Sequence, residues 1–319
     1  MPSLITPWHP QVDPMKIEQL TGMVAIVEQG SLRAAARHLG LDQPALTKSI
    51  RALERELGVV LFERDPRGMV LTASGRLLYQ RASLVVNEVR RARDELLQST
   101  GGEEGTLTAG LSIMPHVGLL PHVLPAFQRR YPRVKLKLIE GLFPDLEGRL
   151  RNGALDFFIG ASPRQPPAPG LLSTPLFENT RVVVGRKGHP LAGAAALAAL
   201  QEAEWATPSL DYNAEEDLSA VFASRGLAPP SVMLQAASAL SLMVALASTD
   251  LLALLPRQWS DFALAREALQ VIPIADSIPA PTIVMIRRPD LPLTPAAEFF
   301  SDLLLRFAPA PQPLRGQPE

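Results

Sequence analysis

Residues 28–77 read EQGSLRAAARHLGLDQPALTKSIRALERELGVVLFERDPRGMVLTASGRL, and this stretch decides the fold of the N-terminal quarter. Ser31 is placed to cap a short helix through Leu39, in which Ala34, Ala35 and Ala36 allow close packing. After the Gly40-Leu41 turn, Asp42 caps a third helix with Pro44 in its first turn, where a missing N–H costs little. Leu46, Ile50, Leu53 and Leu57 form its buried stripe, and Gly58 ends it. Thr47, Lys48, Arg51 and Arg55 fall on the opposite face. Leu61–Arg64 and Met69–Leu71 are short strands around the turn Asp65-Pro66-Arg67-Gly68. Upstream, Ile17, Leu20, Val24 and Val27 give one more amphipathic helix, closed near Gly30. Three helices and a hairpin over residues 15–75 predict a winged helix-turn-helix.

A long helix follows, from about Thr72 to Ser99, giving a linker over 76–100. Leu78, Ala82, Val85, Val89, Ala92 and Leu96 repeat at alternating spacings of four and three, the seam of a coiled coil. Arg81, Glu88, Arg91 and Asp94 are read as its polar flanks, and a second copy of the chain as the partner that covers the seam. Gly101-Gly-Glu-Glu-Gly105 is polar, glycine-rich and separates two periodicities, so it marks a domain boundary.

Beyond Gly105 strands and helices alternate. Thr106–Ser112, Val134–Glu140 and Asp156–Gly160 read as strands, with helices Val117–Arg130 and Leu146–Asn152 between them, an order that predicts an open, largely parallel sheet. A second unit follows: strand Arg181–Gly185, helix Ala214–Arg225, strand Val232–Ala236, helix Ala239–Ala247 and strand Leu251–Leu255. Strand Thr282–Ile286 and helix Pro295–Phe307 return to the first. The expected product is a two-lobed α/β domain over 105–308, with lobe I at 105–162 and 280–308 and lobe II at 163–279. A cleft between lobes is where such folds take small ligands.

Bulk properties narrow the class. The net charge of −1 divides unevenly: residues 16–95 hold 13 Lys/Arg and 10 Asp/Glu, the remainder 18 and 22. A basic head on an acidic body suits contact with phosphates at one end. There are no cysteines, hence no disulfides and no thiolate metal sites, which suits a cytoplasmic protein. No uncharged apolar run could span a bilayer, and no cofactor or metal is expected. Proline clusters in residues 1–14 and 309–319, which are read as a disordered extension and tail. The extension lacks Lys and Arg, so it does not read as a secretory signal.

The spaced motifs of 28–77 resemble the signature of the LysR-type transcriptional regulators: Glu28-Gln-Gly-Ser31, Ala34-Ala35, Gln43-Pro44-Ala45-Leu46, Leu53-Glu54, Leu61-Phe62-Glu63-Arg64 and Leu71-Thr72-Ala73-Ser74-Gly75. The second half is similar to the family's effector domain, with Leu120-Pro121, Gly153-Ala154-Leu155-Asp156 and Arg186-Lys187-Gly188-His189-Pro190-Leu191 as the telling segments. The resemblance covers about 16–307 and implies a periplasmic-binding-protein-like fold for the effector domain. It also implies a homotetramer built as a dimer of dimers, binding to double-stranded promoter DNA, a small-molecule effector in the cleft, and RNA polymerase as a candidate partner.

Within the family pattern Gln43, Pro44, Thr47 and Lys48 fall where the recognition helix meets DNA, with Arg51 on the same face. Gln43 can pair bidentately with adenine and Thr47 can meet a thymine methyl. Lys48 departs from the arginine common at this place, keeping the charge but losing the planar fork. Ser31 and Arg33 suit backbone contacts, and Arg67 at the wing tip suits a narrow minor groove. In the second half, Ser112, Ile113 and Met114 are expected on the cleft rim, with Phe143 beside them. Ser238 is expected to open a helix whose free N–H groups face inward. Hydroxyls and helix N-termini suit an anion, and the apolar residues suit an aromatic body, so a small organic acid is the expected effector.

The rival classes find less support. The five histidines make no HxxxH pair, and there is no GxSxG elbow, P-loop or GxGxxG fingerprint, so an enzyme is not expected. A solute-binding protein would share the second half but not the DNA-binding head.

Overall fold

The computed structural model describes residues 15–65, 68–208 and 214–308, which form two units. The readings of residues 1–14, Arg67 and 309–319 lie outside the described residues.

The first unit comprises the described residues up to Thr100 together with Gly148–Leu155. Its head is α1 (Ile17–Gln29), α2 (Leu32–Leu39), α3 (Gln43–Leu57), and the antiparallel hairpin of β1 (Phe62–Asp65) and β2 (Gly68–Leu71). The caps act as the sequence proposed. Ser31 Oγ accepts from the Ala34 N–H at 3.2 Å and an Asp42 carboxylate oxygen from the Ala45 N–H at 2.6 Å. Met23, Ile26, Leu46, Ile50 and Leu53 fill one core beneath the three helices. The hairpin is tied to α3 by Glu54, whose Oε1 accepts from the Leu61 N–H at 2.8 Å.

The long helix α4 (Ala73–Ser99) is capped by Thr72, whose hydroxyl oxygen accepts from the Gly75 N–H at 3.0 Å. Its apolar stripe is divided. Leu78 packs on the head core and Ala82 on Leu20 and Val24 of α1, so the head itself covers the first part. Val85 (43%), Val89 (48%) and Leu96 (69%) are exposed, and only this later part is open to a partner. Two of the expected polar flanks are instead buried: Arg91 and Asp94 are 4% and 7% exposed. The Arg91 guanidinium donates to the Leu155 carbonyl at 2.8 Å, and the Asn87 amide to the Asn152 carbonyl at 3.1 Å. Heptad counting sees only the apolar stripe and is blind to these contacts with distant carbonyls.

The second unit opens with β3 (Glu104–Leu111), α5 (Ile113–Gly118), α6 (Leu120–Arg130), β4 (Arg133–Glu140), α7 (Phe143–Arg151, of which the first unit takes the last turn) and β5 (Phe157–Ala161). The single helix expected over Val117–Arg130 is therefore two. Pro121 has no N–H to donate to the preceding turn, so the helix stops and restarts around Leu119. Next come β6 (Leu172–Arg186), β7 (Glu204–Thr207), α8 (Ala214–Ala223), β8 (Ser231–Gln235), α9 (Ala239–Ser248) and β9 (Ala253–Pro256). The chain closes with α10 (Gln258–Asp261), α11 (Ala263–Ala268), β10 (Leu269–Ile272), β11 (Ile278–Arg287) and α12 (Pro295–Arg306).

The parallel order expected for the first lobe is present, with β3 between β4 and β5. The whole sheet is mixed, because β6 and β11 run antiparallel to their neighbours and β9 and β10 pair antiparallel with β6. β6 is 15 residues long and pairs with β11 through both lobes, interrupted by a bulge between Ala280 and Ile283. Lobe I packs around Phe127, Phe157 and Phe300, with Phe127 and Phe300 edge to face at 5.0 Å. Lobe II has two cores, one around Trp205 and Phe222, the other around Leu242, Leu246 and Trp259.

Gly75 marks the tightest approach in the first unit. A Cβ there would lie 2.1 Å from the Leu61 carbonyl oxygen, a backbone atom that cannot turn aside. Gly75→Ala is expected to destabilise the head by about 1–3 kcal/mol. Gly148→Ala on α7, where a Cβ meets nothing within 4 Å, should leave stability unchanged or slightly raised. Thermal denaturation followed by circular dichroism checks both, and a Gly75→Ala variant melting with the wild type contradicts this packing.

Candidate functional sites: a helical DNA face and an interlobe cleft

Among the described residues, one concave surface in each unit gathers residues singled out from the sequence. On the head, Gln43, Pro44, Thr47, Lys48, Arg51 and Arg55 line one shallow groove along α3. Gln43, Pro44, Lys48 and Arg51 are exposed, as are Ser31 and Arg33 at the start of α2. Two of these groups are partly committed. Thr47 Oγ1 donates to the Gln43 carbonyl at 2.8 Å, which leaves its methyl and its hydroxyl lone pairs uncommitted. Ser31 Oγ accepts as the α2 cap, so a contact from this residue to a phosphate would use its hydroxyl hydrogen as donor. Glu54 was missed as a positioning residue. It is half-buried beside the α3 groove, and its carboxylate fixes the recognition helix against the wing.

The second surface is the interlobe cleft, of about 200 Å³. Ser112, Ile113 and Met114, at the end of β3 and the start of α5, lie on its wall, and so does Ser238 before α9. Phe143 does not. It is 3% exposed and packs on Phe158 with ring centroids 5.5 Å apart, while Gly141 and Leu142 supply the wall in its place. The expected aromatic wall residue is thus a core residue. An alternation that leaves one side of a loop apolar does not say which way the loop turns.

The floor comes from the crossing strands, through Asn179 and Arg181 of β6 and Ala280 and Pro281 of β11. None of these was identified from the sequence, because the polar first half of β6 carries no alternating pattern. Arg181 brings a guanidinium to the cleft and ion-pairs with Asp217 of α8. Asp217 also faces the Arg164 guanidinium at 3.6 Å.

The expected anchor for an acid is occupied. Glu140, at the end of β4, accepts from the Ala239 N–H at 3.3 Å, at the N-terminus of α9. Ser238 Oγ accepts from the Ser241 N–H at 3.2 Å in the same turn. The protein's own carboxylate therefore stands at one helix N-terminus where an effector carboxylate was expected. Among the described residues, Asp145 in the first turn of α7 has no hydrogen bond or ion pair and also lines the cleft.

The two cleft serines differ in role. Ser112 is 3% exposed but makes no side-chain cap, whereas Ser238 caps α9. Ser238→Ala should lower stability by about 1 kcal/mol, as loss of a helix N-cap does. Ser112→Ala should denature with the wild type. Urea titration of both variants checks this, and the reverse order of losses contradicts the assignment.

Comparison with known proteins agrees with both halves. The family model "Bacterial regulatory helix-turn-helix protein, lysR family" matches residues 17–76, and the "LysR substrate binding domain" model matches 100–309. The hydrogen peroxide-inducible genes activator of Pectobacterium carotovorum subsp. carotovorum is 30% identical over 293 residues, covering 91% of this chain and 96% of the relative. The HTH-type transcriptional regulator GalR of Pseudomonas putida is 29% identical over 280 residues, covering 88% and 70%. A full-length OxyR variant from Pseudomonas aeruginosa shares the fold with a TM-score of 0.67 at 24% identity, over 92% of this chain and 98% of that one. Full-length CbnR, crystallised with its target DNA, does so with a TM-score of 0.65 at 20% identity, over 92% and 100%. The chain belongs to the LysR family of transcriptional regulators, with a DNA-binding helix-turn-helix domain and an effector-binding domain.

Proposed function

We propose that the head reads a specific promoter sequence through the exposed face of α3, and that a small molecule in the interlobe cleft changes its grip on that DNA. The single observation behind the DNA reading is the gathering of Gln43, Thr47, Lys48 and Arg51 along one groove of a helix whose other face is core. In this reading α3 lies in the major groove with Gln43 and Thr47 toward base edges and Lys48, Arg51, Arg33 and Ser31 toward phosphates. Arg67 joins the DNA contacts on the strength of its place in the wing sequence. The complex of CbnR with its target DNA lends this support at the level of fold.

Assembly follows from the divided stripe of α4. Val85, Val89 and Leu96 form the exposed apolar part of the seam, and we assign it to a second copy of the chain, with a dimer of dimers as the full assembly. The cleft signal is a reversibly bound ligand. Several relatives are named for hydrogen peroxide, but this chain has no cysteine, so no thiol is present to carry an oxidation signal. Among the described residues no helix is long and apolar enough to cross a membrane.

Gln43→Ala is expected to cost about 1–3 kcal/mol on the specific site and much less on random DNA. Gel-shift titration on both measures this, and equal losses would remove Gln43 from the base-reading set. Val85→Glu with Val89→Glu would place unpaired charge in the seam and should dissociate the oligomer in light scattering. A double variant of wild-type mass with wild-type operator affinity would overturn the seam assignment.

A further inference from the structure

We propose that the cleft selects a small organic ammonium compound that also carries a hydrogen-bond-accepting oxygen. This rests on the reading of the cleft as the effector site and names the class of its ligand. The first observation is charge. Three carboxylates, Glu140, Asp145 and Asp217, line the cleft against one guanidinium, Arg181, and that guanidinium is already paired with Asp217. Glu140 sits at the N-terminus of α9 and Asp145 in the first turn of α7, so these two helix ends present a carboxylate to the cleft. An incoming anion would meet like charge, while an ammonium group supplies the counter-charge these two side chains lack. In a cleft partly shielded from water, that difference is larger than it would be on an open surface.

The second observation is independent of the first. Two buried polar atoms on the cleft wall have no partner. Asn179 is 7% exposed and its Nδ2 is unpartnered; Thr207 is 2% exposed and its Oγ1 is unpartnered. The orientation of Asn179 is fixed, because its Oδ1 accepts from the Thr180 N–H at 2.9 Å and from Gln258 Nε2 at 3.1 Å. Its free NH2 is therefore a donor, and it calls for an acceptor on the ligand. Buried donors are rarely left unmade in folded proteins, and an unmade donor on a residue that lines a cavity points to what fills that cavity. The Thr207 hydroxyl can give or take a hydrogen bond beside it. Between the polar groups, Ile113, Met114, Leu254 and Ile283 suit a short apolar body. At about 200 Å³ the cleft is smaller than sites for drug-sized ligands and suits a metabolite of few atoms.

Three compounds that share a terminal amide and differ only at the other end test the charge preference: 5-aminopentanamide, 5-hydroxypentanamide and 5-amino-5-oxopentanoic acid. Each is titrated into the full chain while the methyl resonance of Met114, a cleft-wall residue, is followed by NMR. The ammonium compound should shift this resonance and bind at least tenfold more tightly than the alcohol, and the carboxylate should bind more weakly still. Asp145→Asn removes a carboxylate that holds no other group, so it tests the site without disturbing the fold. Asp145→Asn and Glu140→Gln should each weaken the ammonium compound by about tenfold and narrow its margin over the alcohol. If the carboxylate or alcohol shifts Met114 as strongly as the ammonium compound, the ligand class is overturned while the cleft remains an effector site. If the ammonium compound binds equally well to both variants, or leaves Met114 unmoved, the proposal is overturned. A Met114 resonance unmoved by all three and by a broad metabolite panel overturns the effector reading of the cleft itself.

Discussion

The effector domain depends on the antiparallel pairing of β6 with β11. No other strand pair in it runs through both lobes, and its residues Asn179, Arg181, Ala280 and Pro281 form the cleft floor. The bulge between Ala280 and Ile283 falls at that floor, where an extra residue bends a strand and turns side chains away from the ladder. Each lobe packs its own core against its part of this pair, with Phe177 and Ile283 in lobe I and Val183 and Ile278 in lobe II. Substitutions in these cores act on the lobes, whereas those at the bulge act on the cleft.

In the head, the corresponding constraint is the rigidity of α3. Asp42 fixes its start, Gly58 ends it in the left-handed conformation, and the Glu54 carboxylate holds the wing strand to its flank. A side chain that reads a base must be held to within a fraction of an ångström, and these three features fix the helix that carries it.

Much of the fold was legible because its signals are local. Ser31, Asp42 and the glycines at 30, 40 and 58 mark helix ends by short-range chemistry, β5 carries the apolar run of a buried strand, and β4 alternates charged with apolar residues as an edge strand does. What stayed hidden depends on distant partners. Arg91 and Asp94 look like solvated charges until residues 148–155 are packed beside α4. Phe143 looks like a cleft residue until Phe158 claims its ring. The acidic character of the cleft was hidden for the same reason, since Glu140, Asp145 and Asp217 are far apart in sequence and none has a motif. The break between α5 and α6 was readable from Pro121 and was overlooked in favour of the apolar periodicity across it.

The central claim is that one face of α3 reads a particular DNA sequence. Footprinting of the DNA upstream of the protein's own gene, repeated as salt is raised from about 50 to 200 mM, measures this most directly. The account predicts protection confined to a short site that survives at the higher salt while random DNA is released. Protection spread evenly along the fragment, or lost from every sequence together as salt rises, would contradict it.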